Sequence, residues 1–212
     1  MAELKQQAEE SAVNEDAIRD RLREFGVPKT YLRPIDFDLV PSALKSFYLR
    51  DIEKIAYGPG GMILAGPKGA GKSFAAVWLL RRLIDHQARL AANPALRALS
   101  PDRTAKFARM QLVIDAMRNK DLRRTRERLR MQRVLVIDDL GAEFNDSGGY
   151  IASLVDDLVD ERWSEDRFTI ATTNLDAQQL EERYPRVFSR LCDSRGVGLI
   201  VVDREDLRRQ SG

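Results

Sequence analysis

The chain has 212 residues, 43% of them hydrophobic and 32% charged, enough to bury the core of one α/β domain with a short appendage. Its longer apolar runs, such as residues 62–65 and 134–137, are too short to cross a bilayer, and the opening MAELKQQAEE lacks the apolar stretch of a signal peptide. A single cysteine, Cys192, and a single histidine, His86, exclude an internal disulfide and a Cys/His metal cage. Together these favour the cytoplasm and leave no Ser-His-Asp or Cys-His chemistry except one built on His86.

In chain order, residues 1–24 read as a helix with a weak stripe through Leu4, Ala8, Ile18 and Leu22, stopped by Gly26 and Pro28. An irregular stretch over 27–40 joins it to the body, so residues 1–40 form an N-terminal helix and linker, a candidate partner-binding segment. The body runs over 41–205 and a tail over 206–212. The body opens with a helix from Pro41–Ser42 carrying Leu44, Phe47, Ile52 and Ile55 at helical spacing, and Gly58–Gly61 ends it. Strand and helix then alternate: strand 62–65, helix 72–90, loop 91–102, strand 105–110, one helix over 112–130, strand 134–137, helix 150–164, strand 168–172, helix 176–182, a short Arg-rich helix 186–192 and strand 198–202. This βαβ series predicts an α/β fold with a mostly parallel five-stranded sheet between helical layers.

The net charge of +2, from 35 basic and 33 acidic side chains, conceals a segregation. Between Arg103 and Arg133 eleven Lys or Arg stand against three acids, a net +8 that leaves −6 for the rest. Such a segment is either a solvated helix face or a surface that neutralises phosphates by counterion release. The densest part, Arg123, Arg124, Arg126 and Arg128, is the candidate DNA contact.

Gly66, Pro67, Lys68, Gly69, Ala70, Gly71, Lys72 and Ser73 match G-x-x-x-x-G-K-[ST]. In this loop backbone N–H groups turn inward around phosphate, the lysine reaches the β- and γ-phosphates, and the serine hydroxyl ligates Mg²⁺. The loop follows a buried strand and opens an amphipathic helix whose positive dipole end faces the same anion. Val134–Ile137 then delivers Asp138 and Asp139 to the carboxyl edge of the sheet, where ligands bind. Asp138 is placed to hold the Mg²⁺ shell, and Asp139 to orient or deprotonate the attacking water, with Glu143 a competitor. A further strand ends in Thr-Thr-Asn174, and Asn174 can hydrogen-bond both γ-phosphate and water. Its spacing suits an extra strand inserted between the phosphate-loop strand and the Asp-Asp strand. Arg190 is a candidate arginine finger reaching a neighbouring subunit's nucleotide, with Arg183, Arg186 and Arg195 as rivals. His86 suits a helix end, Trp78 and Trp163 packing, and Cys192 a small, at least half-buried site.

Taken together, these motifs resemble those of the AAA+ ATPases and, within them, the DnaC/IstB group of bacterial helicase loaders and transposition helper ATPases. The matching pieces are Gly26-Val-Pro-Lys-Thr-Tyr31 ahead of Asp36-Phe-Asp38, the phosphate loop, Val-Ile-Asp-Asp-Leu-Gly141 with Glu143, Ala-Thr-Thr-Asn-Leu175 and Phe-Ser-Arg-Leu191. They span residue 26 to about residue 202. The resemblance implies an additional-strand AAA+ fold that uses ATP and Mg²⁺, with Lys72, Ser73, Asp138, Asp139, Asn174 and Arg190 in the roles above. It implies a loader that binds a replicative hexameric helicase and places it on single-stranded DNA. Its hydrolysis would be weak alone, stimulated by DNA or partner, and completed between copies by the arginine finger. The same motifs also fit a transposition helper that assembles on duplex DNA and recruits a transposase. Three departures stand out: a short segment before Gly26, no cysteines there for a zinc module, and no helical lid after the last strand. That last departure leaves Arg204 and Arg208 poor candidates for a second sensor arginine.

Overall fold

The computed structural model describes residues 14–33, 40–92, 105–142 and 149–202. The Asp36-Phe-Asp38 motif, Arg103, Glu143, Arg204 and Arg208 lie outside them. Five parallel strands form one sheet: β1 (Gly61–Ala65), β2 (Ala105–Arg109), β3 (Val134–Leu140), β4 (Phe168–Thr173) and β5 (Gly198–Val201), in the spatial order β2-β3-β4-β1-β5. The inserted strand is therefore β4, seated between β1 and β3 as its spacing predicts. Every residue of β1 and β4 is buried, the signature of a parallel sheet covered on both faces.

Side-chain alternation along the strands sends Met62, Leu64, Val134, Val136, Phe168 and Ile170 into one core, and Ile63, Ala65, Leu135, Ile137 and Ala171 into the other. The first core is closed by α1 (Glu15–Phe25), α2 (Ser42–Tyr57) and α3 (Lys72–Ala92). The second is closed by α4 (Met110–Arg118), α5 (Arg123–Met131), α6 (Tyr150–Ser164), α7 (Ala177–Arg183) and α8 (Pro185–Leu191). The result is a three-layer α/β/α fold.

Helix α1 begins where Asn14 caps the Asp16 N–H at 2.7 Å and ends at Gly26, whose φ of 89° allows the left-handed C-cap. It buries Ile18, Leu22 and Phe25 in the sheet's first core, and Arg81 of α3 reaches Glu15 at 2.6 Å. No helix among the described residues is long and apolar enough to cross a membrane.

Several predicted boundaries move, and one element is corrected. Strand β3 runs on to Leu140, so Asp138 and Asp139 lie within it rather than after it, and β2 stops at Arg109 because Met110 already begins a helix. The helix expected over 112–130 is two helices, α4 and α5. Asn119 is extended (φ −95°, ψ 118°), and its side chain accepts from the Asp121 N–H at 2.9 Å, capping a 3₁₀ turn over Lys120–Leu122. A short amide side chain that bonds its own backbone competes with helix continuation.

The C-terminal end of α5 is held by Arg162 on α6, which is fully buried. Its guanidinium donates to the carbonyls of Leu129, Arg130, Gln132 and Phe168 and to the Thr169 hydroxyl, at 2.7–3.0 Å. Burial, with Arg167 and Arg133 nearby, pulls its pKa down to about 9, still far above neutrality, so the group stays charged. Its positive charge is matched by the carbonyl end of α5 rather than by a carboxylate.

Candidate nucleotide site

The start of the loop after β1 is tied to the chain on both sides of β1. The Gly66 N–H donates to the Thr173 carbonyl at 3.2 Å and the Val202 N–H to the Ala65 carbonyl at 2.7 Å. A Cβ at Gly66 would stand 2.2 Å from the Val202 carbonyl oxygen, and Gly71 holds a φ of 92°, so side-chain-bearing residues do not fit either position. Lys72 is the first residue of α3 and is 6% exposed. Its ammonium donates to the carbonyls of Gly66 and Pro67 and, at 2.8 Å, to Oδ1 of Asn174 at the end of β4. Lys72 and Asn174 are 102 positions apart. The structure brings them together because β4 lies beside β1.

Ser73, next along α3, hydrogen-bonds the Asp138 carboxyl. Asp138 is 1% exposed and also accepts from the Thr172 hydroxyl at 2.8 Å. Burial pushes its carboxyl above the usual range. The bonds from Ser73 and Thr172 and the charge of Arg109 oppose this, and Asp139 adds to it. Asp139 is exposed with a φ of 61°, and its N–H donates to the Thr172 hydroxyl oxygen at 3.0 Å.

A buried carboxylate beside a hydroxyl, raised in pKa by desolvation, is a pair of hard oxygen donors that a divalent cation would relieve. Among the described residues no group of three or more His, Cys, Asp or Glu could hold a metal alone. A Ser–Asp pair that needs phosphate oxygens to complete the shell fits Mg²⁺ better than a resident structural metal.

Two contributors escape a reading of motifs. Thr172 sits inside the polar triplet, but its bonds to both acids depend on strand order. Arg109, at the end of β2, is in register with Asp138 across β2 and β3. Its one sequence signal is a basic residue closing a strand.

Arg190 lies on α8, packed against α6. Its Nε donates to Asp160 at 2.7 Å and its guanidinium stacks 4.2 Å from the Trp163 ring centroid. The rivals are also anchored locally: Arg186 to Asp157 at 2.7 Å, Arg195 on the same Trp163 ring at 3.5 Å, and Arg183 on the Tyr184 ring at 5.6 Å. Among the candidate DNA contacts Arg123, Arg124 and Arg128 are exposed on α5 and Arg126 is half-buried; Arg123 pairs with Glu127 at 2.9 Å. Helix α5 leads into the amino end of β3, so its last turn lies at the edge of the sheet opposite the phosphate loop. The basic segment therefore spans both edges of the sheet rather than lying wholly beside the nucleotide site. Arg109, at the carboxyl end of β2, is the basic residue that approaches Asp138. His86 is half-buried near the end of α3, Trp78 is buried in the core, and Cys192 is half-buried.

The fold recurs in solved structures. DnaI superposes with a TM-score of 0.58 at 20% identity, covering 84% of this chain and 93% of that one. A DnaC helicase loader gives 0.57 at 17%, covering 83% of this chain and 100% of that one. This is the AAA+ fold. A replication initiator DnaA solved with AMPPCP and single-stranded DNA shares it more distantly, with a TM-score of 0.54 at 12% identity over 77% of this chain and 46% of that one. No protein-family model matches the chain, and no curated protein matches it in sequence.

Proposed function

We propose that this chain is a cytoplasmic, ATP-driven DNA replication factor that binds a replicative helicase and loads it on single-stranded DNA. The observation that carries the reading is the meeting of Lys72 and Ser73 with Asp138 and Asn174 at one edge of the parallel sheet, in a fold shared with the solved helicase loader. Residues Gly66 to Ser73 wrap the phosphates of ATP. The Lys72 ammonium exchanges its carbonyl partners for phosphate oxygens, and Asn174, already on that ammonium, reports the γ-phosphate to β4. Ser73 and Asp138 hold Mg²⁺, which supplies positive charge against the phosphates when bound.

Asp139, exposed beside this pair, orients the attacking water and receives its proton. Arg190 serves the nucleotide of a neighbouring copy, so turnover is slow for the free chain and faster once copies assemble on DNA or on the helicase. The exposed arginines of α5 contact the phosphates of the single strand.

The test is loading of a replicative helicase onto a closed single-stranded circle by the wild type and by Lys72→Ala. The wild type is expected to load in an ATP-dependent way, and the variant to lose both nucleotide binding and loading. No physical association with any replicative helicase would overturn the reading.

A further inference from the structure

The pairing of β3 with β4 contains an irregularity at the point where the acids stand. Ile137 is opposite Ala171 and Leu140 is opposite Thr173, so the two residues Asp138 and Asp139 face the single residue Thr172. Two residues against one is a β-bulge, and its extra residue is visible in the backbone: Asp139 has a φ of 61°, a left-handed conformation that a non-glycine residue rarely takes.

Side-chain direction carries the same signature. Before the bulge, even-numbered β3 residues (Val134, Val136) enter the core under α3 and odd-numbered ones (Leu135, Ile137) the core under α6. After it, Leu140 lies in the core under α6, where regular alternation would have put it under α3. The strand has slipped phase by one residue, and Asp139 is the residue left over, exposed at the sheet's edge.

One hydroxyl holds both halves of this bulge. Thr172 Oγ1 donates to Asp138 Oδ1 at 2.8 Å and accepts from the Asp139 N–H at 3.0 Å, and Thr172 is fully buried. Its single proton goes to the Asp138 carboxyl, and a lone pair accepts the backbone N–H of Asp139 in the bulge. Thr173 secures the far side, donating to the Leu140 carbonyl at 2.7 Å.

The geometry points to Thr172 as a positioning residue that fixes the Asp138 carboxylate beside Ser73 and holds Asp139 in its left-handed conformation, setting the separation of the two acids. Neither acid alone specifies this. A left-handed Asp is strained and persists only where its surroundings impose it, and a buried carboxylate is oriented by the donors it keeps. Thr172 supplies both restraints from the neighbouring strand, so the β4 threonine and the Asp-Asp pair act as one unit. What the acids then do rests on the ATP reading above; the bulge assignment does not.

The test compares Thr172→Val, which keeps the shape and deletes the hydroxyl, with Thr172→Ser, which keeps the hydroxyl. Three readings are taken: hydrogen exchange of the Asp139 amide without nucleotide, the gain in affinity for a fluorescent ATP analogue on adding Mg²⁺, and turnover. The valine variant is expected to exchange the Asp139 amide at least about tenfold faster. It should lose roughly 10- to 100-fold in the Mg²⁺-dependent part of affinity and in turnover while Mg²⁺-free affinity is unchanged. The serine variant is expected to restore all three. If the valine variant fails to fold, Thr172→Ala removes the hydroxyl without placing a methyl against Asp138, and the same readings apply. An Asp139 amide as protected without the hydroxyl as with it, or a serine variant that fails alongside valine, overturns the assignment. A wild type whose nucleotide affinity ignores Mg²⁺ would overturn the ATP reading instead, and the amide exchange would still decide the role of Thr172.

Discussion

Asp138 is a buried carboxyl kept at the expense of the fold. It is 1% exposed, and burial raises its pKa in spite of the bonds from Ser73 and Thr172. A folded carboxyl with a pKa above its unfolded value binds more protons in the native state across that interval. Native stability therefore falls as pH rises from the unfolded value, near 4, through the raised folded one. At pH values above that interval Asp138 thus burdens the nucleotide-free protein. Replacing it with Asn removes the charge while leaving an oxygen for the Thr172 hydroxyl. Asp138→Asn is expected to raise the melting temperature of the nucleotide-free protein at neutral pH, with the gain shrinking as the pH falls to about 4. The same substitution should weaken Mg²⁺-dependent ATP binding more than about tenfold. Thermal melts across that range check the first, and nucleotide titration with and without Mg²⁺ the second. A variant that melts lower than wild type at neutral pH would show that its carboxylate stabilises the empty site after all.

Helix α8 shows which elements were readable and which of their supports were not. Its existence follows from the pattern over 186–192, but a helix of seven residues is marginal without outside help. Tyr184 offers it no side-chain cap and Pro185 opens it. The missing cap comes from α6, where the buried Asp156 accepts the Val187 N–H at 2.9 Å and bonds the Arg186 backbone. Asp157 and Asp160 then pair with Arg186, in the first turn of α8, and with Arg190, one turn further along. A capping group about 30 positions upstream leaves no local sequence signal, and the register of α6 on α8 is set by tertiary packing. The same holds for α5, whose C-terminal end is held by Arg162 gripping its carbonyls from another helix. Asp156→Ala is expected to cost about 1–2 kcal/mol, the usual loss of a helix cap, or roughly 2–8 °C in melting temperature for a chain of this size. Asp156→Asn, which keeps an acceptor, should retain most of that stability. Equal losses in the two variants would mean that the charge, not the cap, anchors α8.

At the scale of the molecule, the fold class, strand count and nucleotide loop are legible because each is written locally: apolar runs at strand spacing, a glycine pattern, a helix start. The assembled site is only partly so, since Lys72–Asn174 and Thr172–Asp138 form across strands whose adjacency depends on topology. Charge behaves in the same way. The +8 between Arg103 and Arg133 is visible in the sequence, whereas its partition is not: Arg123, Arg130 and Arg133 are committed to Glu127, Glu161 and backbone carbonyls, while Arg124 and Arg128 face solvent. If the exposed arginines of α5 bind single-stranded DNA, each phosphate deprived of its arginine should lower the slope of log affinity against log salt by about 0.7. Replacing Arg123, Arg124, Arg126 and Arg128 with Gln is then expected to reduce that slope by up to about 3 and to leave ATP affinity unchanged, because α5 ends at the sheet edge away from the phosphate loop. Net charge changes too, from +2 to −2, so a control must separate local binding from overall charge. Arg19, Arg21 and Arg23 on α1 are each paired with an acid one turn away. Their replacement by Gln lowers net charge by three while α5 stays intact, and the salt slope should remain at the wild-type value. Equal slopes for the two variants would make DNA binding a property of net charge and remove α5 as its site.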